Sequence, residues 1–148
     1  MSWSLELIRT KTNTEPYDDE KEEDVIPFTK SEILDCINDI HEIINISIED
    51  AESDFVHVYG EKWNVELCFW KKCLYSENDN RYYTVELQIR GGTEPKEFLS
   101  LFTEKLRARL FDMHAGIFWT CNGSGFSEWK NLCDRIVKEL SDEKGKNK

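Results

Sequence analysis

The amino-acid sequence predicts a single α+β domain in which a mostly antiparallel sheet carries helices on one face. Several short segments alternate apolar and polar residues, which is the pattern of half-buried strands. The links at 60–62 and 71–80 are too short for the crossover that parallel strands need. Three longer segments repeat apolar residues at helical spacing. The expected order is β-α-β-β-β-α-β-α.

The length and composition indicate one folded domain. The chain has 148 residues, of which 39% are hydrophobic and 12% aromatic, enough to build a core without staples. We expect the domain to cover residues 1–141, with an acidic loop at 11–27. The last residues, 142–148, read "SDEKGKNK" from 141 onward and predict a flexible tail.

The first strand and the first helix have clear local signals. "WSLELI" places Trp3, Leu5 and Leu7 on one side of a strand. In "FTKSEILDCINDIHEII", Thr29 is the expected N-cap and Glu32, three residues on, completes a capping box. The apolar stripe of this helix comprises Ile33, Ile37, Ile40 and Ile44.

Three further strands are predicted in the middle of the chain, in "DFVHVYG", "KWNVELCFW" and "RYYTVELQIR". Their alternation gives each strand one apolar and one polar side. By this parity Trp70 and Tyr82 belong to the polar side, together with Glu66 and Glu86. Exposed aromatic side chains among carboxylates are typical of protein-binding patches.

The second half of the chain predicts two more helices around a strand or tight hairpin. "GGTEPKEFLSLFTEKLRARL" reads as a helix that runs to Leu110, capped by Thr93 or Glu94 and with Arg107 and Arg109 in its last turn. "FDMHAGIFWT" follows as the strand or hairpin, around Gly116. "SEWKNLCDRIVKEL" is the final helix, and its predicted inward residues are Trp129, Leu132, Cys133, Ile136 and Leu140.

The charge excludes several classes of function. The formal net charge is −11, from 30 acidic and 19 basic residues. Such a field repels nucleic acids and anionic membranes and speeds encounter with basic proteins. We expect no signal peptide, because "MSWSLELIRT" lacks a basic region followed by an apolar run, and no membrane span, because no apolar run is long enough. Its five cysteines are scattered rather than arranged as a disulfide framework. We therefore expect a cytoplasmic protein that binds neither nucleic acid nor membrane.

The sequence contains no signature of catalysis or of a metal site. None of its three histidines lies beside a cysteine in a recognisable nucleophile–base motif. Cys68 and Cys73 do not have zinc-site spacing, and "DDEKEED" lacks the glycine of a calcium loop. We expect no enzyme activity, no cofactor and no metal. One alternative stays open, a small-ligand enzyme whose site residues would be His57, Glu66, Glu86 and Arg90.

Two acidic segments, 15–24 and 49–54, favour a binding surface for a basic protein. Carboxylates on loops can face the lysines and arginines of a nucleic-acid-binding partner and give fast, salt-sensitive association. Trp70 and Tyr82 would serve as aromatic anchors. The expected partner-binding residues are Glu15, Asp18, Asp19, Glu20, Glu22, Glu23, Asp24, Glu49, Asp50, Glu52, Asp54, Trp70 and Tyr82.

The chain also resembles a known class of proteins. Its start, "MSWSLELIRT", and the strand-glycine-helix-strand progression in "VELQIRGGTEPKEFLSLFTEKLRARLFDMHAGIFW" resemble the immunity proteins of bacterial polymorphic-toxin and contact-dependent growth inhibition systems. The resemblance implies an inhibitor that binds the C-terminal domain of a toxin, often a nuclease, and blocks its active or substrate-binding surface. It supplies no site residues. A regulatory interaction domain with a non-toxin partner remains the alternative, and the oligomeric state stays open.

Overall fold

The computed structural model describes residues 2–17, 22–76, 78–123 and 125–146 and confirms the predicted α+β class. Within these ranges it contains three helices and nine strands. The helices are α1 (Lys30–His41), α2 (Lys96–Leu106) and α3 (Phe126–Lys146). The strands are β1 (Trp3–Ile8), β2 (Phe28–Thr29), β3 (Ser47–Glu49), β4 (Phe55–Tyr59), β5 (Trp63–Cys68), β6 (Arg81–Tyr82), β7 (Val85–Gly91), β8 (Arg109–Asp112) and β9 (Ile117–Phe118).

Seven strands form one antiparallel sheet in the order β3-β4-β5-β7-β1-β8-β9. The register aligns Val56, Leu67, Leu87 and Leu5 across four strands. Because residues directly opposite one another share a face, this row and its neighbours make one face of the sheet apolar. β2 and β6 pair separately as a second, two-stranded sheet.

The helices cover the apolar face, and the core lies between the two layers. Most strand residues of this face are buried, as are the inward residues of α1 and α2, whereas Ile48 and Trp63 are half-buried. The largest fully buried side chains are Trp3, Phe28, Phe69, Phe98, Phe102, Leu5, Leu7, Ile33, Ile37, Ile40, Leu67 and Leu87. The opposite face carries polar side chains. Below it is called the open face, and it is represented by Glu6, Glu66, Glu86, Gln88 and Arg90.

The start of α1 confirms the predicted N-cap. Thr29 Oγ1 accepts a hydrogen bond from the backbone nitrogen of Glu32 at 3.1 Å. The reciprocal half of the capping box does not form, because the Glu32 carboxylate instead pairs with Arg9 Nη2 at 2.7 Å. Arg9 also lies over the ring of Phe28, 4.4 Å from its centroid. Arg9, which directly follows β1, thereby ties the first turn of α1 to the sheet.

The prediction that α2 continues to Leu110 is wrong. The helix ends at Leu106 because Arg107 takes a left-handed conformation with φ 51°, the usual way a helix terminates. Arg109 and Leu110 belong instead to β8 and pair with β1, Arg109 opposite Ile8. At the other end, Pro95 occupies the N-cap position, so neither Thr93 nor Glu94 caps the helix.

The predicted strand at 81–90 is interrupted, which corrects the placement of Tyr82. Its first part, β6, pairs Tyr82 with Phe28 in the second sheet, and only from Val85 does the chain join the main sheet. Tyr82 packs edge-on against Phe69, with ring centroids 5.3 Å apart, and contacts the core. It therefore lies on the helix side of the sheet and does not share the face of Glu86.

The last helix reaches further than predicted and buries less. Phe126 and Trp129 enter the core, where Phe126 meets the edge of Trp3 at 5.3 Å. Leu140 is 55% exposed, so the prediction that it points inward is wrong: the core ends at the first turns of α3. The helical backbone includes residues 142–146 of the predicted tail, and 147–148 lie outside the described residues. In the described ranges no helix is both long and apolar enough to cross a membrane.

Candidate functional site

Both acidic segments leave the sheet at the same end. The register places the ends of β1, β5 and β4 at the same end of the sheet, through the pairs Leu7–Val85, Cys68–Glu86 and Phe55–Cys68. This end is called the loop end below. Residues 50–54 connect β3 and β4 there, residues 69–84 follow β5, and residues 9–27 follow β1. The opposite end carries the tight 60–62 turn and the start of α2.

The 49–54 segment presents free carboxylates to solvent. Glu49, Glu52 and Asp54 are exposed and form no ion pair with any described residue. Asp50 is also exposed, and its Oδ2 lies 3.1 Å from His57 Nδ1. Ser53 donates from its backbone nitrogen to the Asp50 carbonyl at 2.9 Å, which keeps the turn compact. The predicted partner-binding residues of this segment therefore lie together on one tight turn.

Glu15 has a different role from the one predicted for the acidic loop as a whole. Its carboxylate accepts hydrogen bonds from Thr10 Oγ1 at 2.6 Å and from the backbone nitrogens of Thr12 and Thr14 at 3.1 and 3.2 Å. These bonds stabilise the charged form and lower the Glu15 pKa to about 2, with the Thr10 hydroxyl contributing most. Glu15 is half-buried and holds the loop in place.

In the rest of the first acidic segment, the structure describes the side chains of Glu23 and Asp24. Glu23 is exposed, whereas Asp24 is half-buried, with Oδ1 3.9 Å from Lys11 Nζ. The Asp24 carbonyl also accepts from the Lys11 backbone nitrogen at 3.0 Å, which closes the loop on the end of β1. Asp18, Asp19 and Glu20 lie outside the described residues, as does the side chain of Glu22.

An aromatic pair stands beside the 49–54 segment. Trp70 lies on the open face, as predicted. Its Nε1 donates a hydrogen bond to Glu86 Oε2 on that face at 2.7 Å. Phe55, which is 37% exposed, meets the Trp70 ring edge-on with centroids 5.0 Å apart. The two rings border a shallow hollow that Asp54 also lines. Tyr82, the other predicted anchor, lies on the opposite side of the sheet.

The residues of the enzyme alternative bind one another on the open face. His57 Nε2 lies 2.8 Å from Glu66 Oε2, and Asp50 occupies the other ring nitrogen, so neither nitrogen is free to take a proton from a substrate. Arg90 Nη2 donates to Gln88 Oε1 at 2.9 Å. The polar side chains of this face are therefore ordered by hydrogen bonds to one another.

Cys68, on the strand that pairs with the strand of His57, is held in its protonated form. Its Sγ lies 3.6 Å from Glu66 Oε1. Burial and the neighbouring Glu66 and Glu86 carboxylates raise the Cys68 pKa to about 12, and a thiol rather than a thiolate is a poor nucleophile. In the described part of the chain, no three His, Cys, Asp or Glu side chains converge as metal ligands.

The structure also shows a cavity of about 480 Å³ that the sequence did not predict. It lies on the open face at the loop end, between the sheet and residues 15–17 and 24–25. Arg109 lines it, although the sequence pattern had placed this residue on a helix. Its hydrogen-bond partners, Thr10 and the Glu15 carbonyl, are 99 and 94 residues away in the chain. A cavity formed by such distant residues cannot be predicted from a local sequence pattern.

No protein-family model, curated protein or solved structure that was compared matches this chain. The functional proposal therefore rests on the geometry and charge of the loop end.

Proposed function

We propose that the chain is an inhibitor protein that binds a basic partner protein through its loop end. The observation that carries this proposal is the common position of the described parts of the two acidic segments, which the sheet register brings to one end of the molecule. The Phe55–Trp70 pair stands beside the 49–54 segment. The combination offers both features of a specific interface: charge to attract the partner and an aromatic centre to hold it.

The charge distribution favours attraction at a distance. The net charge of −11 gives the whole molecule a negative field, and Glu49, Glu52 and Asp54 are exposed without a neutralising partner among the described residues. Such surfaces steer an oppositely charged protein toward them and raise the association rate about tenfold or more at low salt. Salt screens the effect over about 8 Å at physiological ionic strength. Association that slows steeply with salt is therefore expected.

The aromatic pair supplies the short-range part of the interface. Tryptophan and other large aromatic side chains dominate binding energy where they are desolvated at the centre of a contact. The ring of Phe55 is partly exposed and already packed on Trp70, whose indole is fixed by Glu86. Little side-chain entropy is lost when a partner covers rings that are held in this way.

The resemblance to toxin immunity proteins suggests the finer form of the proposal. The partner would be the basic C-terminal domain of a cognate toxin, with nuclease activity, and the chain would neutralise it in the cytoplasm by covering its active or substrate-binding surface. A nuclease must present cations to phosphate groups, and an acidic surface fits such cations. A regulatory partner that is not a toxin would use the same surface, so the activity of the captured protein distinguishes the two.

The test is capture of the partner with charge-reversed variants. Tagged wild-type protein is incubated with lysate of the source cells, washed at low and then high salt, and the eluted proteins are identified by mass spectrometry. E52K/D54K reverses two carboxylates at the loop end. E61K/E97K reverses two exposed carboxylates at the opposite end and leaves the same total charge.

We expect one basic protein to bind wild type and E61K/E97K and to elute at high salt. We expect E52K/D54K to lose it, with an association rate about tenfold lower in a purified pair. One equivalent of the chain should abolish the enzymatic activity of that protein. Equal losses in both variants, or binding that is indifferent to salt, would refute a specific role of the loop end. A bound partner that keeps its activity would refute inhibition.

A further inference from the structure

The cavity at the loop end has a lining of two kinds. Ile8, Val25 and Phe118 give it an apolar wall, and Arg109 lies beside them with Lys72 at the rim. Its volume of about 480 Å³ is within the usual range of small-molecule sites, about 300–1,000 Å³. Residues of the sheet form it together with residues 10, 15–17 and 24–25, so it is a feature of the folded domain.

Arg109 has hydrogen-bonding capacity that the protein does not use. Its Nη2 donates to Thr10 Oγ1 at 3.2 Å and to the Glu15 carbonyl at 2.9 Å. Among the described residues no acceptor pairs with Nη1, and Nε is buried without one. The guanidinium lies 3.9 Å from the centroid of Phe118 and forms no ion pair with a described residue. Partial burial lowers the Arg109 pKa, because desolvation outweighs the more distant charge of Glu15.

The carboxylates around the cavity are, in contrast, already engaged. Glu15 accepts three hydrogen bonds within its own loop, and Glu6 Oε2 accepts from the Tyr17 hydroxyl at 2.6 Å. Asp24 lies 3.9 Å from Lys11 Nζ. The group in this cavity that keeps unused hydrogen-bonding capacity is therefore the guanidinium of Arg109. A partly desolvated guanidinium that has no ion pair and keeps unused donors can be stabilised by a carboxylate that pairs with it directly.

We propose that this cavity binds a small organic acid, with its carboxylate on Arg109 and its apolar body against Ile8, Val25 and Phe118. A planar carboxylate matches the fork of donors that a guanidinium offers. A monoanion suits the site better than a dianionic phosphate, because three carboxylates line the same cavity and repel each added negative charge. The proposal is independent of the protein partner and assigns the chain a small-molecule site.

The probe for this site is benzoate, with neutral benzamide and cationic benzylamine as isosteric comparisons. Each is titrated into ¹⁵N-labelled protein, and backbone and arginine side-chain resonances are followed by NMR. We expect benzoate to shift resonances of Ile8, Val25, Arg109 and Phe118 and to bind about tenfold or more tightly than either comparison. R109M should weaken benzoate binding about tenfold or more, whereas R107M, at the neighbouring exposed arginine, should leave it unchanged.

Several results would overturn the proposal. Benzamide or benzylamine that binds as well as benzoate would show that the carboxylate is not recognised. Benzoate shifts that map away from the cavity, or R109M and R107M with equal affinity, would do the same. Where R109M does not fold, the comparison of the three probes on the wild-type protein decides, since it needs no variant. No shift with benzoate up to its solubility also counts against the site.

Discussion

Trp3 and Asp112 meet in the core from opposite ends of the chain, the indole Nε1 donating to Asp112 Oδ2 at 3.0 Å across a sequence separation of 109 residues. The other oxygen, Oδ1, accepts from the backbone nitrogens of His114 and Ala115 at 2.9 and 3.0 Å. Asp112 is 1% exposed, so water cannot take the place of its carboxylate as the acceptor for these three N–H groups. One buried carboxylate thus joins β1 to the turn between β8 and β9.

Replacing Asp112 should therefore destabilise the fold strongly. Asp112→Ala leaves a buried indole N–H and two backbone N–H groups without acceptors, and each unmet donor costs about 1–3 kcal/mol. We expect the free energy of unfolding to fall by about 3 kcal/mol or more, measured by urea denaturation. Asp134→Ala, which removes an exposed pair with Lys130, should cost less than about 0.5 kcal/mol. Equal losses in the two variants would contradict the assigned role.

Two adjacent glycines offer a second matched comparison. Gly91 has φ 113°, and a Cβ built on it would clash with the carbonyl oxygen of Lys62. Gly92 has no atom within 4 Å of such a Cβ. Gly91→Ala should lower the free energy of unfolding by about 2 kcal/mol through strain at the end of β7, and Gly92→Ala should change it by less than about 1 kcal/mol. Thermal or urea unfolding of both variants checks this, and a tolerated Gly91→Ala would show that the strand end can move.

The Thr10 hydroxyl should control the titration of Glu15. Thr10→Val removes the largest cause of the lowered pKa, so the Glu15 pKa should rise from about 2 toward its ordinary value of 4.5. A carboxyl whose folded pKa is depressed stabilises the fold above its unfolded pKa, and that contribution is lost as the pH falls from 4.5 to about 2. The variant should lose this pH-dependent contribution. NMR titration of the Glu15 side-chain carbonyl measures the pKa directly, and an unchanged value would mean that the backbone donors suffice.

The cysteines should react in the order of their exposure and acidity. Burial raises the pKa of Cys36 to about 11, and burial with neighbouring carboxylates raises that of Cys68 to about 12, whereas Cys121 is exposed. At about pH 8 only thiolate is alkylated, so iodoacetamide should modify Cys121 first and leave Cys36 and Cys68 intact in the folded protein. Peptide mass spectrometry over time follows each site. Rapid alkylation of Cys68 would show that its thiolate is accessible and would support a nucleophile on the open face.

Local sequence signals predicted the parts of this fold that depend on local contacts. The cap at Thr29 and the buried parity of β4, β5 and β7 follow from neighbours a few residues away, and these predictions are confirmed. The misplacement of Tyr82 has a distant cause, because its strand pairs with β2, more than fifty residues earlier, and this pairing reverses the face. The alternation of apolar and polar residues within one strand does not indicate which distant strand it pairs with.

The candidate surface was predictable only in part for the same reason. The two acidic segments are visible in the sequence, but their common position at the loop end depends on strand register. The engagement of Glu15 with Thr10 removes one of the predicted contacts from the free surface. The Arg109 cavity depends on β8 pairing with β1, where the sequence indicated the end of a helix.

The interface proposal makes one further prediction, on two aromatic residues of the same strand and face. Phe55 and Tyr59 on β4 are each 37% exposed, but Phe55 stands at the loop end against Trp70, and Tyr59 lies at the far end, opposite Asn64. Phe55→Ala should speed dissociation of the captured partner and weaken the complex by about 2 kcal/mol, or roughly thirtyfold, as expected for a central aromatic anchor. Tyr59→Ala removes a ring of equal exposure outside the proposed interface and should change the affinity less than about twofold.

Surface plasmon resonance with both variants measures the association and dissociation rates. Salt should change the association rate of wild type and of Phe55→Ala equally, because the substitution removes no charge. If Tyr59→Ala weakens the complex as much as Phe55→Ala, the partner binds along the open face rather than at the loop end.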